Sequence, residues 1–252
     1  MRALLVDIGN SRIKWAGFTG ERLSRAQAAE YAGWEAQDFA RRVIGSRPID
    51  RILVASVAPE NVTDALEAAA HLAGAPAPER ITTRRSACGV TVAYIDPWRL
   101  GVDRLLGMIA AHWRFARKPV CTVAVGTALT IDLVGADGHH RGGAIIPAPD
   151  LMVASLLENT NGIRRRAQGG ASGRGRALFG RSTRAAVEQG ARYAAAAAVD
   201  RALSEAKALV GRTPQLVLTG GGAPALQPLI ESAGVLVPDL VLEGLAAWCV
   251  GG

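Results

Sequence analysis

Leu4-Leu5-Val6-Asp7-Ile8-Gly9-Asn10-Ser11-Arg12-Ile13-Lys14-Trp15 has a counterpart about 117 residues later, Val120-Cys121-Thr122-Val123-Ala124-Val125-Gly126-Thr127-Ala128-Leu129-Thr130-Ile131. Each is an apolar run, a polar turn centred on glycine, and a second apolar run. That is the pattern of a β-hairpin whose turn exposes backbone N–H groups and small hydroxyls, a combination suited to a phosphate oxygen. A hairpin followed by mixed strands and helices, seen twice, indicates a duplicated α/β chain. The expected domains are 1–117 and 118–252, with the two turns gripping one nucleotide from opposite sides of a cleft.

Outward from the first hairpin, Trp34 to Ile44 has helical spacing, Arg51 to Val57 is rich in β-formers, and Pro59 to Leu72 reads as an alanine-rich helix opened by proline. Gly74 to Pro78 is a turn cluster, and Ile81 to Thr83 a short further strand. From Gly101 to Arg117 the residues Leu105, Leu106, Ile109 and Trp113 share one helical face, and Pro119 closes the segment. Beyond the second hairpin, Asp137-Gly138 predicts a turn and Gly142 to Pro147 a strand. Arg164 to Arg181, rich in Gly and Arg, reads as a mobile or ligand-ordered loop. Thr183 is then expected to cap a helix running to about Val210, with Gly211 beyond its end. A strand at Gln215 to Leu218, a turn at Gly220-Gly221-Gly222 and a helix from Pro224 to Ala233 follow.

Composition narrows the function classes. With 252 residues, 49% hydrophobic and 20% charged, the chain can bury one large core or two smaller ones. Its formal charge of +7 favours anionic partners, or simply reflects arginine as the default surface cation. Aromatics are only 5% and do not interleave with basic runs as a stacking platform would, so nucleic-acid binding is a minor reading. Cys88, Cys121 and Cys249 are odd in number and lack metal-ligand spacing, which fits a reducing cytoplasm. Neither a signal-peptide core nor an uncharged run of roughly 18 apolar residues occurs, so no membrane association is expected.

Three features have the residue types for phosphate chemistry. Asp7 ends an apolar strand two residues before Gly9, where a carboxylate can order the water shell of Mg²⁺, and Lys14 adds positive charge beside the same anion. Taken alone, the motif fits an ordinary hairpin turn equally well. Asp103, at the start of an apolar-faced helix in Gly101-Val102-Asp103-Arg104, suits a general base, with Arg104 holding an acidic substrate. By itself it is more simply a first-turn acid favoured by the helix dipole. The 220–222 turn lets a purine or ribose lie against backbone. There is no P-loop and no dinucleotide fingerprint, and the four histidines, His139 and His140 among them, read as turn or surface residues.

In their order along nearly the whole chain, these segments resemble the type III pantothenate kinases of the acetate kinase/Hsp70/actin superfamily. Asp7 to Lys14 is similar to the family's first phosphate motif and Gly126-Thr127-Ala128-Leu129-Thr130 to its second. Tyr94-Ile95-Asp96-Pro97 with Gly101-Val102-Asp103-Arg104 resembles its pantothenate and catalytic-base segment, although Asp96 stands where Asn is common. Gly142-Gly143, Gly180-Arg181-Ser182-Thr183, Thr219-Gly220-Gly221 and Pro238 to Leu245 continue the match. The resemblance implies two ribonuclease-H-like (actin-like ATPase) domains with the active site in the cleft between them. It implies ATP-dependent phosphorylation of pantothenate to 4′-phosphopantothenate, the first step of coenzyme A biosynthesis, by a cytoplasmic homodimer.

By the same resemblance Asp7, Ile8, Gly9, Asn10, Ser11, Arg12, Ile13, Lys14 and Thr127 would bind ATP. Tyr94, Gly101, Val102, Asp103, Arg104 and Thr183 would bind pantothenate, with Asp103 as the catalytic base and Thr183 at or near a dimer interface. Mg²⁺ would accompany ATP, and a monovalent cation, K⁺ or NH₄⁺, is implied as well. Ala124 departs from the family, whose second motif usually carries there an Asp that helps bind that cation, so no monovalent-metal ligand is assigned. The alternatives are a transcriptional accessory or nucleotide-sensing protein on the same fold, motivated by Ala124 and the basic charge, and a kinase for another small hydroxylated acid.

Overall fold

The structure, a computed structural model, describes residues 1–116, 118–173, 175 and 177–251. Arg117, the expected domain boundary, and Arg174 and Arg176, within the expected arginine-rich loop, lie outside the described residues. The chain divides into two units. The first contains Met1–Ala116, Gly138–His140 and the C-terminal segment from Asp239; the second contains the stretch ending at Asp137 together with Arg141–Pro238. Chain order alone would place 138–140 and the C-terminal segment in the second half.

In the first unit, β1 (Ala3–Ile8) and β2 (Arg12–Phe18) form the expected antiparallel hairpin, with Asp7 opposite Lys14 and Ile8 opposite Ile13. β3 (Gln27–Glu30) extends one side, and β4 (Arg51–Ser56) and β5 (Pro78–Arg80) run parallel to β1 on the other, giving the order β3-β2-β1-β4-β5. β1 is almost wholly apolar because both of its faces are covered. Leu4, Val6, Ile8, Ile13, Ile52 and Val54 form one core with Phe39, Val43, Ile44 and Leu66 from α1 (Ala36–Phe39), its π-helical continuation Ala40–Ile44, and α2 (Glu60–Leu72). α2 starts after Pro59, as expected. The last parallel strand is Pro78–Arg80, not Ile81 to Thr83, because an edge strand of three residues leaves too little pattern to fix its register.

A small hairpin, β6 (Ser86–Ala87) and β7 (Val90–Thr91), precedes α3 (Val102–Arg114). Leu105, Leu106 and Ile109 are buried as their spacing predicts, but Trp113 is half exposed, its indole N–H donating to the Cys88 carbonyl at 2.8 Å.

The second unit repeats the plan. β8 (Val120–Val125) and β9 (Ala128–Val134) make the second hairpin; β10 (His140–Pro147) flanks it, and β11 (Gln215–Thr219) and β12 (Gly234–Leu236) lie parallel to β8, in the order β10-β9-β8-β11-β12. The expected loop from Arg164 hides part of a helix pair, α4 (Pro149–Asn159) and α5 (Asn161–Ala167). α4 buries none of its residues and α5 only Ala167, and it is the Arg164-Arg165-Arg166 end of α5 that reads as loop in the sequence. α6 (Thr183–Val210) lays Ala195, Ala196, Val199 and Leu203 on the sheet and ends at Gly211 in a left-handed conformation. Ser182, not Thr183, caps it: the Ser182 hydroxyl accepts from the Ala185 N–H at 3.1 Å, and Thr183 is the first helical residue. α7 is only Ala223–Leu226, because a 3₁₀ turn at Gln227–Leu229 leads into β12. α8 (Leu240–Gly251) returns to the first unit and packs on α3. Among the described residues no helix is long and apolar enough to cross a membrane.

Candidate active site

At the end of β1 the chain turns through Gly9, Asn10 and Ser11, closed by a 2.9 Å bond from the Gly9 N–H to the Arg12 carbonyl. Asn10, Ser11 and Arg12 are exposed, whereas Ile8 and Ile13 are fully buried in the core. The side chains of those two isoleucines thus belong to the core, and only their backbone borders the turn. Tyr31 supports the turn from outside the motif: its hydroxyl lies 2.6 Å from the Gly9 carbonyl and 2.9 Å from that of Asn10. A lone tyrosine in an aperiodic stretch gave no sequence signal for this role.

Asp7 closes the strand just before this turn. Burial pushes its carboxyl up to about 7; the nearby charge of Asp103 adds to the rise, Lys14 opposes it, and Asp239 adds again. Lys14 in turn meets the Asp239 carboxylate at 3.4 Å. Asp7, Lys14, Asp103 and Asp239 thus share one electrostatic neighbourhood in the first unit, assembled from β1, β2 and the leading ends of α3 and α8. Asp239 lies within the matched segment Pro238 to Leu245, yet nothing in the sequence gave it a partner.

Asp103 sits in the first turn of α3 with its carboxylate folded back over Gly101, where an added Cβ would come within 2.5 Å of Oδ1. Any side chain at 101 would displace the carboxylate. Val102 and Arg104 are buried, and Arg104 is only 7% exposed. Its guanidinium donates to the Tyr94 hydroxyl at 3.0 Å and lies 5.6 Å from the ring centroid. Tyr94, Gly101, Val102, Asp103 and Arg104 are thereby brought together with the Asp7 turn in the first unit. One expectation is corrected beside them: His140 is 3% exposed, stacked on the Tyr94 ring, and not a turn or surface residue.

The second unit holds Thr127 and Thr183. Thr127 is exposed in the tight turn after β8, where the Gly126 N–H donates to the Ala128 carbonyl at 2.9 Å. Against that turn packs the 220–222 turn: an added Cβ at Gly220, whose φ is +91°, would lie 2.4 Å from the Val125 carbonyl oxygen, and the Gly222 N–H donates to the same oxygen at 3.0 Å. Ala124, paired with Thr130 and Thr219, supplies no side-chain oxygen. Thr183 is the polar end of an otherwise apolar groove of about 490 Å³ lined by α4, α5 and α6.

A family model for type III pantothenate kinase matches residues 3–205. The chain belongs to the type III pantothenate kinases. It is 36% identical over 252 residues to the type III pantothenate kinase of Nitrosococcus oceani, covering 96% of this chain and 92% of that one. The Alkalilimnicola ehrlichii type III pantothenate kinase is 38% identical over 244 residues, covering 96% of each. Among solved structures, component A of the Acidaminococcus fermentans (R)-2-hydroxyglutaryl-CoA dehydratase superposes with a TM-score of 0.54 at 12% identity, over 99% of this chain and 96% of that one. That likeness concerns the fold, which is α/β with the duplicated ribonuclease-H-like sheet order of the actin-like ATPases. The segment expected as the first phosphate motif forms the β1–β2 turn, and the expected base and the Tyr94 and 101–104 segments stand beside it in one unit.

Mg²⁺ suits the oxygen chemistry of this neighbourhood. Among the described residues no three His, Cys, Asp or Glu side chains group closely enough to hold a metal ion by themselves. An ion carried by ATP phosphates, meeting the Asp7 carboxylate directly or through its water shell, fits that donor set.

Proposed function

We propose that this chain transfers the γ-phosphoryl group of ATP to the primary hydroxyl of pantothenate, giving 4′-phosphopantothenate. The observation that carries the reading is the placement of Asp103 beside the Asp7 turn and beside the Tyr94–Arg104 pair. A hydroxyl lying at Asp103 is next to the groups suited to phosphate on one side and to an oxygen-rich acid on the other. Asp103 takes the hydroxyl proton as the oxygen attacks phosphorus, and the ADP oxygen leaves with the bonding electrons. The exposed Asn10 and Ser11 of the turn and the Lys14 ammonium stabilise phosphate charge, and in the second unit the exposed Thr127 offers donors of the same kind. Mg²⁺ on the phosphates would neutralise the charge that builds up between β- and γ-oxygens. Most of the rate enhancement then comes from position and charge stabilisation.

Tyr94, Gly101, Val102 and Arg104 bind pantothenate in this reading, and Thr183 does so from its groove. The apolar side chains that line that groove, with Leu151 and Leu156 exposed on α4, support a homodimer joined on that face. Mg²⁺ accompanies ATP in this reading, and Ala124 supplies no side-chain oxygen to K⁺ or NH₄⁺. The cysteines are free, in keeping with a cytoplasmic setting.

Asp103→Asn tests the central assignment. ATP affinity should stay within about threefold while pantothenate-dependent ADP release falls at least a hundredfold, the scale of general-base catalysis. Unchanged turnover would remove Asp103 from the base role. ADP release by the wild-type protein that ignores pantothenate would instead favour a nucleotide-sensing protein or a kinase for another acid.

A further inference from the structure

Tyr94 is held from three directions, and two of the groups that hold it belong to neither the phosphate nor the substrate motifs. His140 lies against its ring, centroids 5.9 Å apart and planes 25° from parallel, within the range of favourable ring stacking. The imidazole is itself fixed: it is buried, and its Nδ1 accepts from the Ala93 N–H at 3.4 Å. Its backbone is fixed too, because the adjoining residues Gly138 and His139 bond and pair with Thr91 of β7. Arg85 grips the main chain: its guanidinium donates to the carbonyls of Val92 at 3.1 Å, Tyr94 at 2.5 Å and Ile95 at 2.7 Å. The third group is Arg104. A guanidinium only donates, so the Tyr94 oxygen accepts from it and the phenolic hydrogen is turned toward another acceptor.

We infer that His140 and Arg85 are positioning residues for substrate recognition: they fix the ring and backbone of Tyr94 so that its hydroxyl hydrogen, set by Arg104, donates to an acceptor oxygen of the acid. Arg104 then acts on the substrate largely through Tyr94. This rests on the reading of Tyr94 as a pantothenate residue. Ile95 is almost fully exposed and Trp98 largely so. A segment so open at its surface needs anchors of this kind if one tyrosine is to be presented in a single orientation.

Initial rates of the full-length protein with pantothenate and with ATP varied in turn test the inference, using His140→Ala, His140→Phe, Arg85→Gln and Tyr94→Ala. His140→Ala should raise the KM for pantothenate about fivefold to tenfold while kcat and the KM for ATP stay within about twofold. His140→Phe, which keeps a ring to stack, should recover most of that loss, and Arg85→Gln should raise the pantothenate KM in the same selective way. In a Tyr94→Ala background, His140→Ala should add nothing further. An unchanged pantothenate KM, equal rises for both substrates, or a full additional effect without Tyr94 would overturn the inference. If His140→Ala melts too low to assay, Arg85→Gln and His140→Phe carry the same comparison. Wild-type protein without pantothenate-dependent ADP release would overturn the substrate reading and this inference together, whereas failure confined to the variants would overturn the inference alone.

Discussion

Asp7 keeps its proton to about pH 7 because the folded chain buries its carboxyl beside the charges of Asp103 and Asp239, with Lys14 only partly offsetting them. The unfolded chain, with the ordinary value of 3.8, has lost that proton well before. The stabilisation it gives is therefore complete below pH 3.8 and disappears as pH climbs through about 7. Asp7→Asn carries no charge at any pH, so the ligand-free variant should melt several degrees above wild type at pH 8. That corresponds to on the order of 2–4 kcal/mol, with the gap closing toward pH 4. Thermal melts across that range check it, and a gap that did not change with pH would contradict the assignment. The same substitution should remove most turnover, since an ionised carboxylate is what a phosphate-bound dication needs. Wild-type kcat/KM for Mg·ATP should accordingly rise with pH through about 7.

At the scale of elements, the site depends on how closely α3 and α8 cross. Gly244 lies against the backbone of α3, where an added Cβ would come within 2.2 Å of the Leu106 carbonyl oxygen, and Gly107 faces Leu240. This approach places the first turn of α3, with Asp103, and Asp239 at the head of α8 in one neighbourhood with the β1–β2 hairpin. Gly244→Ala must push the helices apart. It should cost about 1–3 kcal/mol, the usual penalty for overfilling a packed contact, and lower the melting temperature accordingly. The folded protein that remains should also turn over more slowly, because a shift of about 1 Å at the reacting groups is worth up to a hundredfold. Normal stability and normal kcat in this variant would mean that the crossing does not set the geometry.

For the whole molecule, two sheets with the same strand order each carry a glycine turn after their central strand. Some of the arginines are locally paired: Arg80 reaches Glu60, Asp64 and Glu67, and Arg51 reaches Glu79. Exposed pairs of this kind add little stability. Ligand binding to the folded state should add more. Mg·ATP at about a hundred times its dissociation constant is expected to stabilise the protein by about 2.7 kcal/mol, raising the melting temperature by about 5–10 °C. Chelating Mg²⁺ with EDTA should remove most of that gain. An equal shift from ATP with and without the metal would count against a role for Mg²⁺ in nucleotide binding.

The sequence by itself determined the two hairpins, the glycine turns that follow their first strands, and the placing of Asp7 and Asp103 at the ends of apolar elements. Each of these is set by local periodicity and turn chemistry over a few consecutive residues. It passed over α4, it took the arginine-rich end of α5 for loop because three consecutive arginines carry no apolar periodicity, and it put His140 on the surface because the histidines lack ligand spacing. Only the tertiary structure decided that Asp239 meets Lys14, that Tyr31 props the Gly9 turn, and that His140 and Arg85 hold Tyr94. Those pairings join residues about 10 to more than 200 positions apart, and burial, stacking and hydrogen bonding between distant segments leave no periodic trace along a chain.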